Sequence, residues 1–198
     1  MSITEEIIEY IASIVERTGY LGIFILMTLE SCGIPIPSEA VVTFSGFLSS
    51  RGSFDFWIVI VVSTLANLTG SLIFYYLGYY YGESFLLRYG RYFHLDKDKI
   101  GLVKKWFNKY GELAIFIGRI TPAVRTYISF PAGLSSMRLP VFILYTAIGS
   151  LIWNFILTYI GYILGSRWMD IIPYLDYLTI IVIIILVIAG IVYIYIKK

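Results

Sequence analysis

Between two apolar runs, residues 30–39 read Glu-Ser-Cys-Gly-Ile-Pro-Ile-Pro-Ser-Glu, so two carboxylates bracket two prolines. A proline lacks a backbone N–H and its ring clashes with the preceding turn, so Pro35 and Pro37 together stop a helix. The surroundings decide what that break means. Of 198 residues, 59% are hydrophobic and 14% charged, with a mean hydropathy of +0.82, whereas a soluble domain carries about a quarter charged residues. The expected fold class is therefore an all-α integral membrane protein, a single membrane domain over 1–198. In a bilayer the freed backbone groups must be satisfied by protein or by water, so a break at that depth implies a buried or water-lined site. Glu30 and Glu39, ionisable residues beside the break, are costly there and read as functional.

The rest of the chain is organised around such breaks. Residues 1–18 predict an amphipathic helix on the membrane surface, with Ile3, Ile7, Ile11, Ile14 and Val15 at helical spacing among glutamates. The acidic start is a poor match to a signal peptide. Two short apolar runs, 19–29 and 40–48, flank the proline break, each well under the ~20 residues that span a bilayer. They predict a re-entrant hairpin, with a single kinked span as the alternative. Residues 57–80 are the first full span, with Trp57 at one end and Tyr75, Tyr76, Tyr79, Tyr80 and Tyr81 at the other as interfacial belts. Asn67, near its middle, reads as helix-to-helix glue. A basic stretch, 82–110, contains a helix over 99–110 with Ile100, Val103, Trp106 and Phe107 on one face, resting on the membrane. Residues 139–164 form a second full span, with Trp153 and Asn154 near its centre, and 173–196 a C-terminal transmembrane helix.

Between them, 111–136 repeats the earlier grammar, with Arg119, Pro122 and Arg125 at the break. An offset of 87 residues aligns Gly46 with Gly133, Ser49 with Ser136, Asn67 with Asn154 and Gly78 with Gly165. The halves are thus 19–81 and 111–166, each a hairpin plus one span. One net crossing per half makes the second copy inverted, so the tips of the hairpins meet near the midplane. The basic residues of 82–112 place that loop in the cytoplasm by the positive-inside rule, with the C-terminus inside and the N-terminus outside a cell membrane.

At the tips, Glu30 and Glu39 would face Arg119 and Arg125. The bland reading is structural charge pairing. The functional reading rests on the broken backbone and on arginine, whose planar fork suits phosphate oxygens. A carboxylate that competes for the same guanidinium adds a proton-coupled switch. One cysteine, Cys32, and one histidine, His94, leave neither a disulfide nor a zinc set, so no metal and no cofactor is expected. The basic loop reads as a topology signal, and no nucleic-acid partner is expected.

Glu30-x4-Pro35-x-Pro37-Ser38-Glu39, with Phe116-x2-Arg119-x2-Pro122-x2-Arg125-Thr126 and Pro131-Ala132-Gly133, resembles the signature of the DedA family, also called the SNARE-associated or VTT-domain family. The resemblance covers roughly residues 19–165. It implies an integral membrane transporter with two re-entrant loops, whose bacterial members move undecaprenyl phosphate, with links to membrane potential and proton coupling. Related eukaryotic proteins scramble phospholipids. Glu30, Glu39, Arg119 and Arg125 match the positions that matter in that family.

The leading expectation is a translocase, not an enzyme, for a polyprenyl-phosphate lipid carrier. Arg119, Arg125, Thr126 and Ser38 bind the headgroup, Glu30 and Glu39 couple its capture to protonation, and Pro35, Pro37 and Pro122 break the hairpins. The alternatives are a proton-coupled small-ion antiporter, a phospholipid scramblase, a passive scaffold, and a lipid phosphatase for which His94 stands alone. The partners expected are the lipid phosphate and membrane lipids. The tyrosine-rich faces suit lipid in a monomer or contact in a homodimer.

Overall fold

A computed structural model describes residues 3–89, 97–122, 124–171 and 174. Apart from Tyr174, the expected C-terminal span, 173–196, lies outside the described residues, as does His94. Within them the chain is helices and connecting turns, with no strand. The helices are α1 (Ile3–Thr18), α2 (Tyr20–Ser31), α3 (Ser38–Ser50), α4 (Phe56–Tyr89), α5 (Lys97–Ile120), α6 (Val124–Tyr127), α7 (Ser129–Leu134) and α8 (Leu139–Leu164), followed by a 3₁₀ stretch, Gly165–Ile171.

Two stretches, Phe56–Ser84 and Leu139–Asp170, are long and apolar enough to cross a membrane. The α2 and α3 helices, of 12 and 13 residues, reach only about 20 Å each, short of a hydrocarbon core about 30 Å thick. The break between them is built as the prolines dictate. The α2 helix ends in a Schellman turn, with Gly33 N–H donating to the Glu30 carbonyl at 2.9 Å and Ile34 N–H to the Leu29 carbonyl at 3.2 Å. Gly33 takes φ +99° there, open to a residue without Cβ. Residues 34–37 then run without helix, and Pro37, with φ −70°, caps α3. The chain folds back rather than continuing. Its far ends meet, where the Asp55 N–H donates to the Tyr20 hydroxyl at 2.7 Å and the Tyr20 and Phe54 rings lie 4.8 Å apart. Asp55 Oδ1 in turn accepts from the N–H groups of Trp57 and Ile58, both at 2.9 Å, and so caps the start of α4.

Each long helix carries one short arm from each half of the chain. The α2 and α7 helices pack on α4, the α3 and α5 helices pack on α8, and α4 packs on α8. Glycines set the distance of the two crossed contacts. A Cβ at Gly46 would strike the Thr158 carbonyl and one at Gly161 the Thr43 carbonyl, so α3 and α8 touch backbone to backbone. Gly133 against the Tyr75 carbonyl and Gly78 against the Phe130 carbonyl do the same for α7 and α4. Small residues give helices this approach where water supplies no driving force between them.

Three local expectations change. The buried face of α1 is Ile8, Ile11 and Val15, which join the core of the α2–α3 hairpin, while Ile7 is exposed. Its stripe therefore has a protein partner. Tyr75 is buried, not part of an interfacial belt, because its hydroxyl donates to the Met137 carbonyl at 2.5 Å. The α5 helix runs unbroken through residues 110 and 111, where a boundary between a surface helix and the second hairpin was expected. A lone Gly111 costs a helix only about 1 kcal/mol, and no proline intervenes before Pro122.

Valine at Gly46 or Gly133 is expected to lower stability by about 1–3 kcal/mol or more, since backbone on the facing helix must move. Gly101, on α5, has nothing within 4 Å of its would-be Cβ, so Gly101→Ala is expected to leave stability unchanged or slightly higher. Melting curves of the detergent-solubilised variants check both.

Candidate functional site

Glu30 sits in the last turn of α2, where the helix dipole disfavours a carboxylate. It is 4% exposed. Both of its oxygens are nonetheless engaged. Thr126 Oγ1 donates to Oε1 at 2.7 Å, and Arg125 Nη2 lies 3.3 Å from the same oxygen. Ser31 Oγ donates to Oε2 at 3.0 Å, and Asn67 Nδ2 lies 3.4 Å from it. The carboxylate of the first break is thus held by the second break, through Arg125 and Thr126 of α6, and by the long helix α4, through Asn67.

Arg119 ends α5, where the dipole favours a cation. It is 2% exposed, and Arg125 4%. Arg119 forms no ion pair among the described residues. Its Nη1 donates to the Arg125 carbonyl at 2.8 Å and its Nη2 to Ser129 Oγ at 2.5 Å. Pro122 lies between α5 and α6, and the turn it enforces sets that Arg125 carbonyl facing back toward Arg119. The Arg125 guanidinium carbon stands 5.5 Å from the centre of the Trp153 ring on α8, a cation–π distance. One turn earlier on α8, Gly149 leaves room for the Arg119 stem, since a Cβ there would come within 2.5 Å of Arg119 Cβ.

The amides join the long helices to the charges. Asn154 Nδ2 donates to Asn67 Oδ1 at 2.9 Å and reaches Thr64 Oγ1 at 3.2 Å, while Asn67 Nδ2 also donates to Ser31 Oγ at 2.8 Å. The glue expected of Asn67 therefore extends to the buried carboxylate. Several buried polar atoms lack a hydrogen-bond partner among the described residues: Arg119 Nε, Arg125 Nη2, Trp153 Nε1 and Asn154 Oδ1 are those of this cluster.

Of the site residues expected from the sequence, Glu30, Arg119, Arg125 and Thr126 come together. Glu39 does not join them. It is half-buried in the first turn of α3, accepts a hydrogen bond from Ser38 Oγ at 3.1 Å, and makes no ion pair among the described residues. Ser38 is buried and committed to that bond. The four-charge balance expected at the tips is instead one buried carboxylate with two buried guanidiniums. Pro35 is exposed and Pro37 caps α3, so both shape the break without lining the charged cluster. Ser31, Ser129 and Trp153 join the cluster without having been expected as site residues, although Trp153 was placed near the centre of the second long span. Serine carries no periodic signal, but the matched asparagines of the two long helices pointed at the right layer.

Residues 36–163 match the VTT domain family. Over 192 residues, 94% of this chain and 88% of the relative, the chain is 35% identical to an alkaline phosphatase-like protein of Lactococcus lactis. It is 33% identical to the undecaprenyl phosphate transporter A of Bacillus subtilis, over 86% of this chain and 82% of that one. With the protein of the same name from Staphylococcus aureus it shares 34% identity over 77% of each chain. No solved structure matches the chain.

Removing one partner of a buried ion pair leaves the other uncompensated, at a cost of about 3–5 kcal/mol, whereas replacing both with neutral groups is often tolerated. Arg125→Met is therefore expected to melt well below wild type, and the double variant E30Q/R125M to recover much of the difference. Additive losses in the melting curves would show that the pair is not coupled.

Proposed function

The chain belongs to the VTT-domain family, and from that premise we propose that it is a membrane transporter of a polyprenyl-phosphate lipid carrier such as undecaprenyl phosphate. The observation that carries the reading is charge. Among the described residues, Arg119 and Arg125 are buried beside a single carboxylate, Glu30, where two helix breaks meet between two long apolar helices. A surplus buried cation calls for an anion. Arginine donates in a fork that matches phosphate oxygens, and the names of the three relatives described above, an alkaline phosphatase-like protein and two undecaprenyl phosphate transporters, each refer to phosphate chemistry.

The proposed cycle uses this chain's own groups. Glu30 holds Arg125 while ionised, and protonation of Glu30 releases the guanidinium to the headgroup. Glu39, half-buried and hydrogen-bonded through its carboxylate only by Ser38 among the described residues, is assigned in this cycle to pass a proton between that cluster and the surface. Thr126, now donating to Glu30, turns to the phosphate when Arg125 does. The polyprenyl tail stays in the lipid beside the hairpins.

In this reading the two halves are an inverted repeat of re-entrant hairpin plus span, residues 19–81 and 111–166 of a single membrane domain in the cell membrane. The crossed packing supports it. Each long helix takes the first arm of its own half and the second arm of the other, as two interlocked copies would. The basic loop of 82–112 and the C-terminus then face the cytoplasm.

Reconstitution in vesicles with a polyprenyl phosphate tests the roles. Arg119→Lys and Arg125→Lys are expected to cut translocation at least a hundredfold, because an ammonium cannot reproduce the fork. Glu39→Gln is expected to fold normally and to lose the response to an imposed pH gradient. Translocation that survives Arg125→Ala and Glu39→Ala would sink the assignment. Release of inorganic phosphate in step with lipid loss would favour a phosphatase instead.

A further inference from the structure

Trp153 stands near the centre of α8 with 5% of its surface exposed, and its indole N–H has no acceptor among the described residues. A buried indole normally finds one. Its surroundings indicate what is missing. Arg125 lies over the ring at 5.5 Å, Arg119 packs on Gly149 one turn away on the same helix, and Arg119 Nη1 donates to the Arg125 carbonyl. In this cluster Arg119 Nε and Trp153 Nε1 meet no acceptor, and Arg125 Nη2 has only an ion-pair contact with Glu30. All three are N–H donors, and the fourth unpartnered atom of the cluster, Asn154 Oδ1, is an acceptor. Serine or threonine hydroxyls could rotate to accept as well as donate, but guanidinium and indole nitrogens can only donate.

We propose that Trp153 is a third headgroup donor, its indole N–H hydrogen-bonding a phosphate oxygen that Arg119 and Arg125 hold by charge. This deepens the transporter reading and rests on it. A phosphomonoester has three terminal oxygens, one for each unpartnered donor. The neutral donor adds direction without adding charge, so it separates a tetrahedral phosphate from a planar carboxylate that the two arginines alone would accept. The aromatic face meanwhile keeps Arg125 in place when Glu30 lets go, because the cation–π contact does not depend on the carboxylate.

The chain has four tryptophans, so four indole N–H resonances are expected from the ¹⁵N-labelled protein in lipid nanodiscs. The Trp153 resonance, identified by its loss in Trp153→Phe, is expected to shift on adding farnesyl phosphate and to stay put with farnesol. A shift with inorganic phosphate as well supports the donor role and identifies the headgroup as sufficient. Trp153→Phe keeps a ring under Arg125 and removes only the donor, and it is expected to bind farnesyl phosphate about tenfold more weakly, as for a hydrogen bond to a charged group. If farnesyl phosphate binds while the Trp153 resonance does not move and Trp153→Phe binds as wild type does, the donor role is wrong and the transporter reading stands. If wild type binds farnesyl phosphate no better than farnesol, both fall. Should Trp153→Phe fail to fold, the resonance is assigned through Phe variants of Trp57, Trp106 and Trp168, and its response decides.

Discussion

The ion pair of Glu30 with Arg125 is the contact on which the rest of the structure depends. Two charges in a low-dielectric interior cost several kcal/mol each unless they are paired and fully hydrogen-bonded. Here the bonds come from every part of the core. Ser31 is the carboxylate's neighbour in α2, Asn67 lies on α4, and Arg125 and Thr126 lie on α6. Asn154 of α8 holds Asn67 in turn. No single helix or hairpin could bury Glu30 alone. Stabilising one carboxylate therefore requires both proline breaks and both long helices at the same place.

Backbone proximity makes that convergence possible. Side chains as short as those of serine, threonine and asparagine reach Glu30 only if their helices nearly touch. Gly70 provides the approach of α4 to α2, since a Cβ there would strike the Thr28 carbonyl, and the same device brings α3 to α8 at Gly46 and Gly161 and α4 to α7 at Gly78 and Gly133. The alternative, long polar side chains across wider gaps, would cost more side-chain entropy to order. Small-residue packing and the buried polar network are in this sense one design, since the first sets the distance that the second needs.

Much of this was legible where the signal was a proscription. Beyond a helix's first turn proline breaks it, so the break at 34–37 and the turn at Pro122 could be placed from the sequence, and the second long helix was expected over the 139–164 that α8 occupies. Periodicity was less reliable. In α1 it marked an apolar face but not what covers it, and Ile8 rather than Ile7 turned inward. Tyr75 looked like its neighbours Tyr76, Tyr79 and Tyr80, and only its tertiary acceptor, the Met137 carbonyl, sets it apart. The pairing of charges was least legible. Sequence supplied two acids and two bases, but whether Glu39 turns toward the arginines depends on where Pro37 starts α3, and that turn gives Glu39 to Ser38.

That departure from four balanced charges has a consequence. With Glu39 outside, the buried cluster of Glu30, Arg119 and Arg125 carries one positive charge in excess when all three are ionised. A neutral lipid would leave that charge uncompensated. A phosphate dianion entering alone would reverse it to one negative charge, while a dianion entering as Glu30 gains a proton leaves two guanidiniums against two negative charges. In the transporter reading proposed above, a low-dielectric site favours exchange of Glu30's ionic bond for the phosphate's over simple addition. On that reading, proton uptake on anion entry and release on exit would follow from electroneutrality, provided the headgroup displaces the carboxylate from Arg125. The contact at 3.3 Å is an ion pair without a hydrogen bond, so the exchange replaces one charge partner of Arg125 by another and breaks no directional bond between Arg125 and Glu30.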